Sequence, residues 1–239
     1  MKNQKVAFIT GCSGELGIEI AKKLILKKFK LICHIRNNNK EFLKFQKKNK
    51  KSIIKVLYFD LLETKKIESE LTKIYSKTDR LNLVILNAAE PHGGLFELTK
   101  IDKIKKIFQV NFFSQILIIQ RLLRLLKKTK NSSIINISSL SSLIPLRGNI
   151  AYGGSKASIN FFTKILAKEL KIYGIKVNAI APTILKNKMG RKTDINTAKL
   201  LLKSSSKKTG IDMKLVVNKI LYLISKKGNS INSKIIKVL

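Results

Sequence analysis

Short apolar runs recur along the chain and are separated by longer amphipathic stretches. The runs are rich in Val and Ile and are mostly continuous rather than alternating, which is typical of strands buried on both faces of a parallel sheet. This character is shared by Val6–Thr10, Leu31–Ile35, Ile53–Phe59, Leu83–Leu86, Ser133–Ser138, Lys176–Ile180 and Lys234–Val238. The pattern predicts a mostly parallel sheet of seven strands.

The stretches between these runs have the spacing of amphipathic helices. Leu16–Lys27 carries apolar residues at 16, 20, 24 and 26 with lysines between them, and Ile101–Lys128 and Ala157–Lys171 are longer and more apolar. Alternation of strands and helices predicts a doubly wound α/β domain, a Rossmann fold with helices on both faces of the sheet. A chain of 239 residues suits one such domain spanning residues 1–239.

Two of the predicted helices carry more apolar surface than contact with the sheet requires. The excess lies at Phe112, Phe113, Ile116, Ile118 and Ile119 in the first, and at Ile159, Phe161, Phe162, Ile165 and Leu166 in the second. A surface helix that is apolar nearly all round needs a second covering partner. We therefore predict that the two helices are neighbours and that they associate with the same pair of a second subunit, in a homodimer or homotetramer.

A glycine-rich turn follows the first predicted strand. It reads Thr10-Gly11-Cys12-Ser13-Gly14-Glu15-Leu16-Gly17 and leads directly into a helix. Glycines allow close approach of a ligand to the backbone, and a helix N-terminus offers free N–H groups to a pyrophosphate. A glycine-rich turn without a ligand is the alternative, but the position of this turn after the first strand favours dinucleotide binding.

The residue that follows the second strand bears on the choice of cofactor. An acidic residue at this place binds a ribose 2′-hydroxyl, whereas the chain has Arg36, which offers charge to a 2′-phosphate. The residue predicts NADP, with NAD still possible. In a chain this basic, Arg36 is also readily explained as one more surface cation.

Tyr152 and Lys156 are four residues apart and would share a face of a helix. An ammonium beside a phenol stabilises phenolate, lowers its pKa and makes it a proton donor and acceptor near neutrality. The pairing alone is weak evidence, because the lysine-rich chain also contains the pair Tyr222 and Lys226. Context separates the two pairs, since Ser139 at the end of a predicted strand precedes Tyr152 by thirteen residues.

The ordered set of these features resembles the short-chain dehydrogenase/reductase family in its single-domain form. The resemblance runs from Val6 to about Val238 and rests on motifs in their usual order. These are the glycine turn, Asp60 after the third strand, Asn87-Ala88-Ala89, Asn111, Ser139, Tyr152, Lys156 and Asn178-Ala179-Ile180-Ala181-Pro182. The resemblance implies hydride transfer between a nicotinamide and a carbonyl or alcohol.

The resemblance also implies a division of tasks among the residues. Tyr152 would protonate the carbonyl oxygen, Ser139 would hold that oxygen, and Lys156 would bind the nicotinamide ribose and lower the pKa of Tyr152. Asn111 would hold a water in the proton relay. The cofactor would be contacted by the glycine-turn residues Thr10, Gly11, Ser13, Gly14, Leu16 and Gly17, and further by Arg36, Asp60, Leu61, Asn87, Ala88, Ala89, Pro182, Thr183, Ile184 and Asn187.

The chain departs from the family pattern in the glycine turn. Glu15 stands at the middle glycine of the usual Thr-Gly-x-x-x-Gly-x-Gly, and the spacing of Gly11, Gly14 and Gly17 instead matches the extended branch of the family. A carboxylate at this place would repel a pyrophosphate unless it points away from it.

Net charge raises a second class of function. The chain carries a formal charge of +35, but only six of its 49 basic residues are Arg, and the lysines extend from Lys2 to Lys237 without a basic tail. Readers of nucleic acids rely more on Arg, so we expect no nucleic-acid partner and ascribe the lysines to an AT-rich genome. A non-catalytic dinucleotide-binding or nucleic-acid-binding protein on the same scaffold is the alternative.

Two further observations concern compartment and substrate. Cys12 and Cys33 do not have the spacing of a disulfide framework or a zinc site, and no apolar run is long enough for a membrane span, so we expect a cytoplasmic protein without a metal.

The Lys/Ser-rich region Lys186–Lys208 is the most loop-like, and residues 183–208 would cover the substrate. Its polarity favours a polar or carrier-linked substrate, of the 3-oxoacyl-carrier-protein or keto-sugar type. Lys127, Lys128 and Lys130 could meet an acidic carrier, or they could simply be a solvated helix end.

Overall fold

Seven strands of the described chain form one sheet. The computed structural model describes residues 4–191, 193 and 195–239. The strands are β1 (Val6–Ile9), β2 (Lys30–Ile35), β3 (Ile53–Tyr58), β4 (Leu83–Leu86), β5 (Ser133–Ile137), β6 (Lys176–Pro182) and β7 (Ile235–Val238). Their spatial order is β3-β2-β1-β4-β5-β6-β7, and every neighbouring pair is parallel. The predicted Rossmann-type fold class is confirmed, and the predicted strands lie within a few residues of the observed ones.

Helices cover both faces of this sheet. They are α1 (Glu15–Leu26), α2 (Lys40–Lys48), α3 (Thr64–Thr72), α4 (Ile101–Phe108), α5 (Ser114–Lys127), α6 (Ile150–Glu169), α7 (Lys188–Arg191), α8 (Ile195–Ser204) and α9 (Met213–Leu223). Helices α1, α2 and α9 contribute to one apolar cluster, and α3, α5 and α6 contribute to the other.

The continuous apolar runs are explained by these two clusters. In β1, Ala7 and Ile9 belong to the first cluster, whereas Val6 and Phe8 belong to the second. Successive strand residues point to opposite faces, so a strand covered by helices on both sides needs apolar residues at every position. Strand β1 lies inside the sheet, between β2 and β4, and the turn that follows it is at the carboxyl edge.

Three elements differ from their predictions. The helix predicted over 101–128 is interrupted by a π-helical turn at Gln109–Phe113, which separates α4 from α5. The helix predicted to begin at Ala157 begins at Ile150, seven residues earlier, and Gly153 in its first turn packs directly against Asn149 and the Ser141 carbonyl. The region predicted to be most loop-like contains α7 and α8.

Residues 192 and 194 of the segment predicted to cover the substrate lie outside the described residues, as do residues 1–3. Across the part of the chain that is described, helices are either too short or too polar to cross a lipid bilayer.

Candidate active site

The loops that follow six of the strands line one cleft of 1160 Å³ at the carboxyl edge of the sheet. The cleft lies where β1 meets β4 and the direction of chain winding reverses, which is the usual position of a ligand in an open α/β sheet. Of the residues predicted to form the site, only Thr10 and Asn111 do not line the cleft. The structure therefore brings together residues that are up to about 170 positions apart in the chain.

The glycine turn has the shape that a pyrophosphate requires. Gly11 has φ +69°, a left-handed conformation that favours glycine. A Cβ at Gly17 would lie 2.2 Å from the Gly11 carbonyl oxygen, so only glycine lets α1 pack this closely on the turn. Gly14 precedes α1 and provides no side-chain cap, which leaves N–H groups of the first helical turn free to bind an anion. These residues fit a dinucleotide.

Thr10 and Asn87 support the turn from beneath. Thr10 is fully buried, and its Oγ1 accepts hydrogen bonds from the N–H groups of Asn87 and Ala88, both at 2.9 Å. The Asn87 amide in turn donates to the carbonyl oxygens of Thr10 at 3.0 Å and Gly11 at 3.2 Å. Thr10 was predicted to contact the cofactor, but its burial excludes direct contact with a ligand in the cleft. It joins the end of β1 to the end of β4 instead.

His34 supports the same turn and was not predicted to do so. Its ring stacks on Phe59 with centroids 3.9 Å apart, and its Nδ1 accepts from the Gly11 N–H at 3.4 Å. Because Nδ1 accepts, Nε2 carries the proton and donates to the Phe59 carbonyl oxygen at 3.0 Å. Burial lowers the pKa of His34 to about 4, so the ring is neutral. The only sequence signal was a histidine inside an apolar strand.

The loops after β2 and β3 form one end of the cleft, which contains the residues predicted to contact the adenosine. Arg36 and Asp60 both line it, and the Asp60 carboxylate also accepts from the Leu62 N–H at 3.0 Å. Asn39 begins α2 by accepting from the Phe42 N–H at 2.7 Å, and it donates to the Ser13 carbonyl oxygen at 2.8 Å. This side chain couples the glycine turn to the loop that carries Arg36.

Ser139, Tyr152 and Lys156 meet at the opposite end of the cleft. Ser139 follows β5, and its hydroxyl is close enough to Tyr152, on α6, to lower the pKa of the phenol. Lys156 is one turn further along α6, and its Nζ lies 5.8 Å from the centroid of the Tyr152 ring. The ammonium is 3% exposed and donates to the Ile137 carbonyl oxygen at 2.7 Å. All three side chains border the same space.

The pKa of Tyr152 moves in the direction opposite to the one expected from the Tyr–Lys pair. Burial raises the pKa of the phenol, and the hydrogen bond with Ser139 offsets only part of this increase. Burial also lowers the pKa of Lys156 to about 8. The ammonium is directed to the Ile137 carbonyl rather than to the phenol oxygen, which explains why the lysine does not lower the phenol pKa here.

Asn111 lies behind the cleft, in the π-helical turn. Its Oδ1 accepts from the Glu90 N–H at 2.8 Å, and its Nδ2 donates to the Glu90 carbonyl oxygen and to the Ser155 hydroxyl, both at 3.0 Å. Such π-turns interrupt helices mostly at functional sites. Here the side chain connects the loop after β4 to α6, beside Lys156.

The segment after β6 forms the remaining wall. Pro182, Thr183, Ile184 and Asn187 were predicted to contact the cofactor, and all four line the cleft. Met189 and Leu201 line it as well. Thr183 is buried, with its hydroxyl 3.3 Å from the Ser205 hydroxyl. Asn187 is also buried, and its Oδ1 accepts from the Gly190 N–H at 2.8 Å. Among the described residues no cluster of side chains has the composition of a metal site.

Comparison with known proteins identifies the family. The family model for short chain dehydrogenase matches residues 5–198. The chain is 28% identical over 198 residues to an uncharacterised oxidoreductase of Staphylococcus epidermidis, covering 83% of this chain and 85% of that one. It is 26% identical to a 3-oxoacyl-[acyl-carrier-protein] reductase of Buchnera aphidicola, covering 99% and 96%.

The fold is shared with solved structures. A short chain dehydrogenase from Burkholderia cenocepacia, in complex with NADP, superimposes with a TM-score of 0.88 at 20% identity, covering 98% of this chain and 96% of the other. The chain therefore belongs to the short-chain dehydrogenase family of NAD(P)-dependent oxidoreductases.

Proposed function

We propose that the protein is an NADPH-dependent carbonyl reductase in which Tyr152 donates the proton. The observation that carries this proposal is the convergence of Ser139, Tyr152 and Lys156 on the cleft that also contains the glycine turn. The Tyr222–Lys226 pair, which has the same spacing, lies outside this cleft. Position in the fold therefore favours the Tyr152–Lys156 pair over the Tyr222–Lys226 pair as the catalytic one.

The residues divide the work of reduction. A bound nicotinamide supplies the hydride. Tyr152 supplies the proton, and its raised pKa keeps the phenol protonated at neutral pH, ready to donate. Ser139 holds the substrate oxygen together with Tyr152, so that the oxygen lies between the two hydroxyls. Lys156 provides a fixed positive charge beside them, and Asn111 holds the loop and helix that frame them and binds the relay water.

Arg36 is the residue we propose to select NADP over NAD. It lines the adenosine end of the cleft, where a 2′-phosphate would be placed, and a related fold has been solved in complex with NADP. We expect Arg36→Asp to shift preference toward NADH, because the change removes a phosphate partner and adds an acceptor for the ribose hydroxyl. Ratios of kcat/KM for NADPH and NADH measure this. A wild type that already prefers NADH would contradict the assignment.

The substrate is proposed to be a polar or carrier-linked ketone, such as a 3-oxoacyl thioester or a keto-sugar. Similarity to a 3-oxoacyl-[acyl-carrier-protein] reductase supports the first class. Segment 183–208 would cover this substrate.

The test of the reaction is a panel of 3-oxoacyl thioesters, simple ketones and keto-sugars with NADPH, followed at the nicotinamide absorbance. We expect Tyr152→Phe to lower kcat by about 10²–10⁴-fold, the usual contribution of a general acid. Binding of NADPH should remain nearly intact, because the ring keeps its packing.

Tyr222→Phe serves as the matched control, and its turnover should equal that of the wild type. Full turnover in Tyr152→Phe would refute the role assigned to the phenol.

We also propose that two copies of the chain associate through α5 and α6. Apolar side chains of α6 and of the π-helical turn before α5 remain exposed, with Phe161 at 69%, Ile165 at 42% and Phe113 at 53%. The arrangement supports the predicted homodimer or homotetramer. A cytoplasmic location is also part of the proposal, since Cys12 and Cys33 are both free and buried.

A further inference from the structure

Glu15 is the residue of the glycine turn that the proposed reaction does not use. Its carboxylate extends from the first turn of α1 toward α7. The Oε2 atom accepts from the Lys188 N–H at 3.0 Å, and the Oε1 atom lies 3.9 Å from the Arg191 guanidinium. The carboxylate thus satisfies the first free N–H group of α7 and faces a cation at the other end of that helix.

These contacts join two opposite walls of the cleft. Glu15 and Lys188 both line it, one from the glycine turn and the other from the segment after β6, 173 positions away. On the other side, the Lys188 ammonium lies 3.9 Å from a carboxylate oxygen of Glu41 on α2. Helix α7 is therefore held to α1 by a hydrogen bond and an ion pair, and to α2 by a second ion pair.

Helix α7 depends on such contacts for its position. None of its four residues is buried, and Met189, its apolar residue, is 40% exposed. Apolar packing, which holds the other helices to the sheet, contributes little here. The hydrogen bond that the Lys188 N–H donates to a charged acceptor is the strongest kind of contact available to an exposed helix end, whereas exposed ion pairs at 3.9 Å are weak.

We propose that Glu15 is a latch that holds α7 across the dinucleotide cleft and limits the rate at which the cofactor enters and leaves. The proposal rests on the binding of NADPH in this cleft, as argued above. It also accounts for a carboxylate at the position where the family usually has glycine, because the charge is committed to Lys188 and Arg191 and does not face a pyrophosphate unpaired.

A latch has a kinetic signature that differs from that of a ligand contact. Opening of α7 is needed in both directions, so loss of the latch accelerates association and dissociation together. Loss of a direct ligand contact accelerates dissociation alone and weakens binding. The dissociation rate constant divided by the association rate constant is Kd. A measurement of Kd together with both rate constants therefore separates the two roles.

Stopped-flow fluorescence of NADPH with the purified protein tests the proposal. We expect Glu15→Ala to raise both rate constants about tenfold, the equivalent of one charged hydrogen bond, with little change in Kd. Glu15→Gln keeps an acceptor for the Lys188 N–H and should lie between Glu15→Ala and the wild type. Glu68→Ala, which removes a glutamate paired with Arg121 on another part of the surface, is the matched control and should behave as the wild type.

Hydrogen exchange of the Lys188 amide in the protein without cofactor gives an independent measurement. Its protection should be lost in Glu15→Ala and retained in Glu15→Gln and Glu68→Ala. Unchanged rate constants in Glu15→Ala would overturn the latch, and so would faster dissociation with unchanged association. A wild type that binds neither NADPH nor NADH would overturn the proposed function and the latch with it, so the two failures are distinguishable.

Discussion

Lys156 shows how burial adjusts a single side chain for chemistry. The ammonium has lost nearly all contact with solvent and keeps one carbonyl partner, the Ile137 oxygen at 2.7 Å. Burial disfavours the charged form, which lowers the pKa of Lys156 to about 8. The same burial raises the pKa of Tyr152, because there the charged form is the deprotonated one. The same buried environment thus keeps the Tyr152 phenol protonated and brings the pKa of Lys156 close to neutral pH.

The opposite pKa shifts of Lys156 and Tyr152 predict a pH dependence of the proposed reduction. We expect kcat/KM to fall as the pH rises through about 8, because Lys156 loses its positive charge while Tyr152 keeps its proton. A pH profile of NADPH oxidation with a substrate from the panel measures the alkaline limb. In Lys156→Arg the guanidinium keeps its charge, so this limb should move to higher pH whatever the remaining activity. An alkaline limb that is identical in both proteins would contradict the assignment.

At the scale of elements, His34 connects the ends of three strands. It belongs to β2, accepts from Gly11 after β1 and donates to Phe59 after β3. The neutral ring is required, since a second proton on Nδ1 would oppose the Gly11 N–H. Protonation of this one side chain would therefore disturb the edge of the sheet where the glycine turn is built.

The position of His34 predicts loss of stability in acid. Its pKa is about 4 in the folded protein and 6.5 in the unfolded chain, so the unfolded chain binds more protons between these values. The contribution is fully present above pH 6.5 and is lost as the pH falls toward 4. It amounts to about 3 kcal/mol in the free energy of unfolding.

Urea unfolding at neutral pH and at mildly acid pH measures this contribution. We expect His34→Gln to be less stable at neutral pH and to lose less stability on acidification than the wild type. His92→Gln changes the other histidine of the chain, whose pKa burial also lowers; because His92 is only half-buried, this variant should keep more of the acid dependence of the wild type than His34→Gln does. Equal acid dependence in the wild type and His34→Gln would disprove the role of His34.

At the scale of the whole molecule, the exposed apolar surface of α6 and of the π-helical turn before α5 predicts association. We expect the protein to be a dimer or tetramer at micromolar concentration, because burying Phe113 and Phe161 against a second copy removes their exposed surface from water. Light scattering measures the mass, and a particle of 27.0 kDa would contradict the prediction. Phe161→Asp should weaken association, whereas Ile172→Asp, at a residue 79% exposed outside these two helices, should not.

The charge of +35 is a second property of the whole molecule. It first suggested a nucleic-acid partner. The chain nevertheless belongs to an enzyme family, and its cleft contains the Ser139–Tyr152–Lys156 group. The lysines therefore do not require a nucleic-acid function to explain them.

Much of the fold follows from local pattern alone. Each strand is a continuous apolar run because it is covered by helices on both faces, and this requirement is visible in the order of residues. The ordered motifs likewise predict which tyrosine and lysine belong to the site, because Ser139 and the strand before it accompany only one of the two pairs. These features depend on neighbours in sequence or on a fixed order of elements.

Other features were decided only by contacts between distant parts of the chain. The π-turn that contains Asn111 forms around contacts with Glu90 and Ser155, and α7 forms in a segment whose composition predicts a loop. The Gly11–His34 contact spans 23 positions, and the Glu15–Lys188 contact spans 173. Composition and periodicity carry no information about such pairs, since each residue alone is an ordinary histidine in a strand or glutamate on a helix. Tertiary structure decides their roles because it alone determines which polar groups are left to satisfy one another.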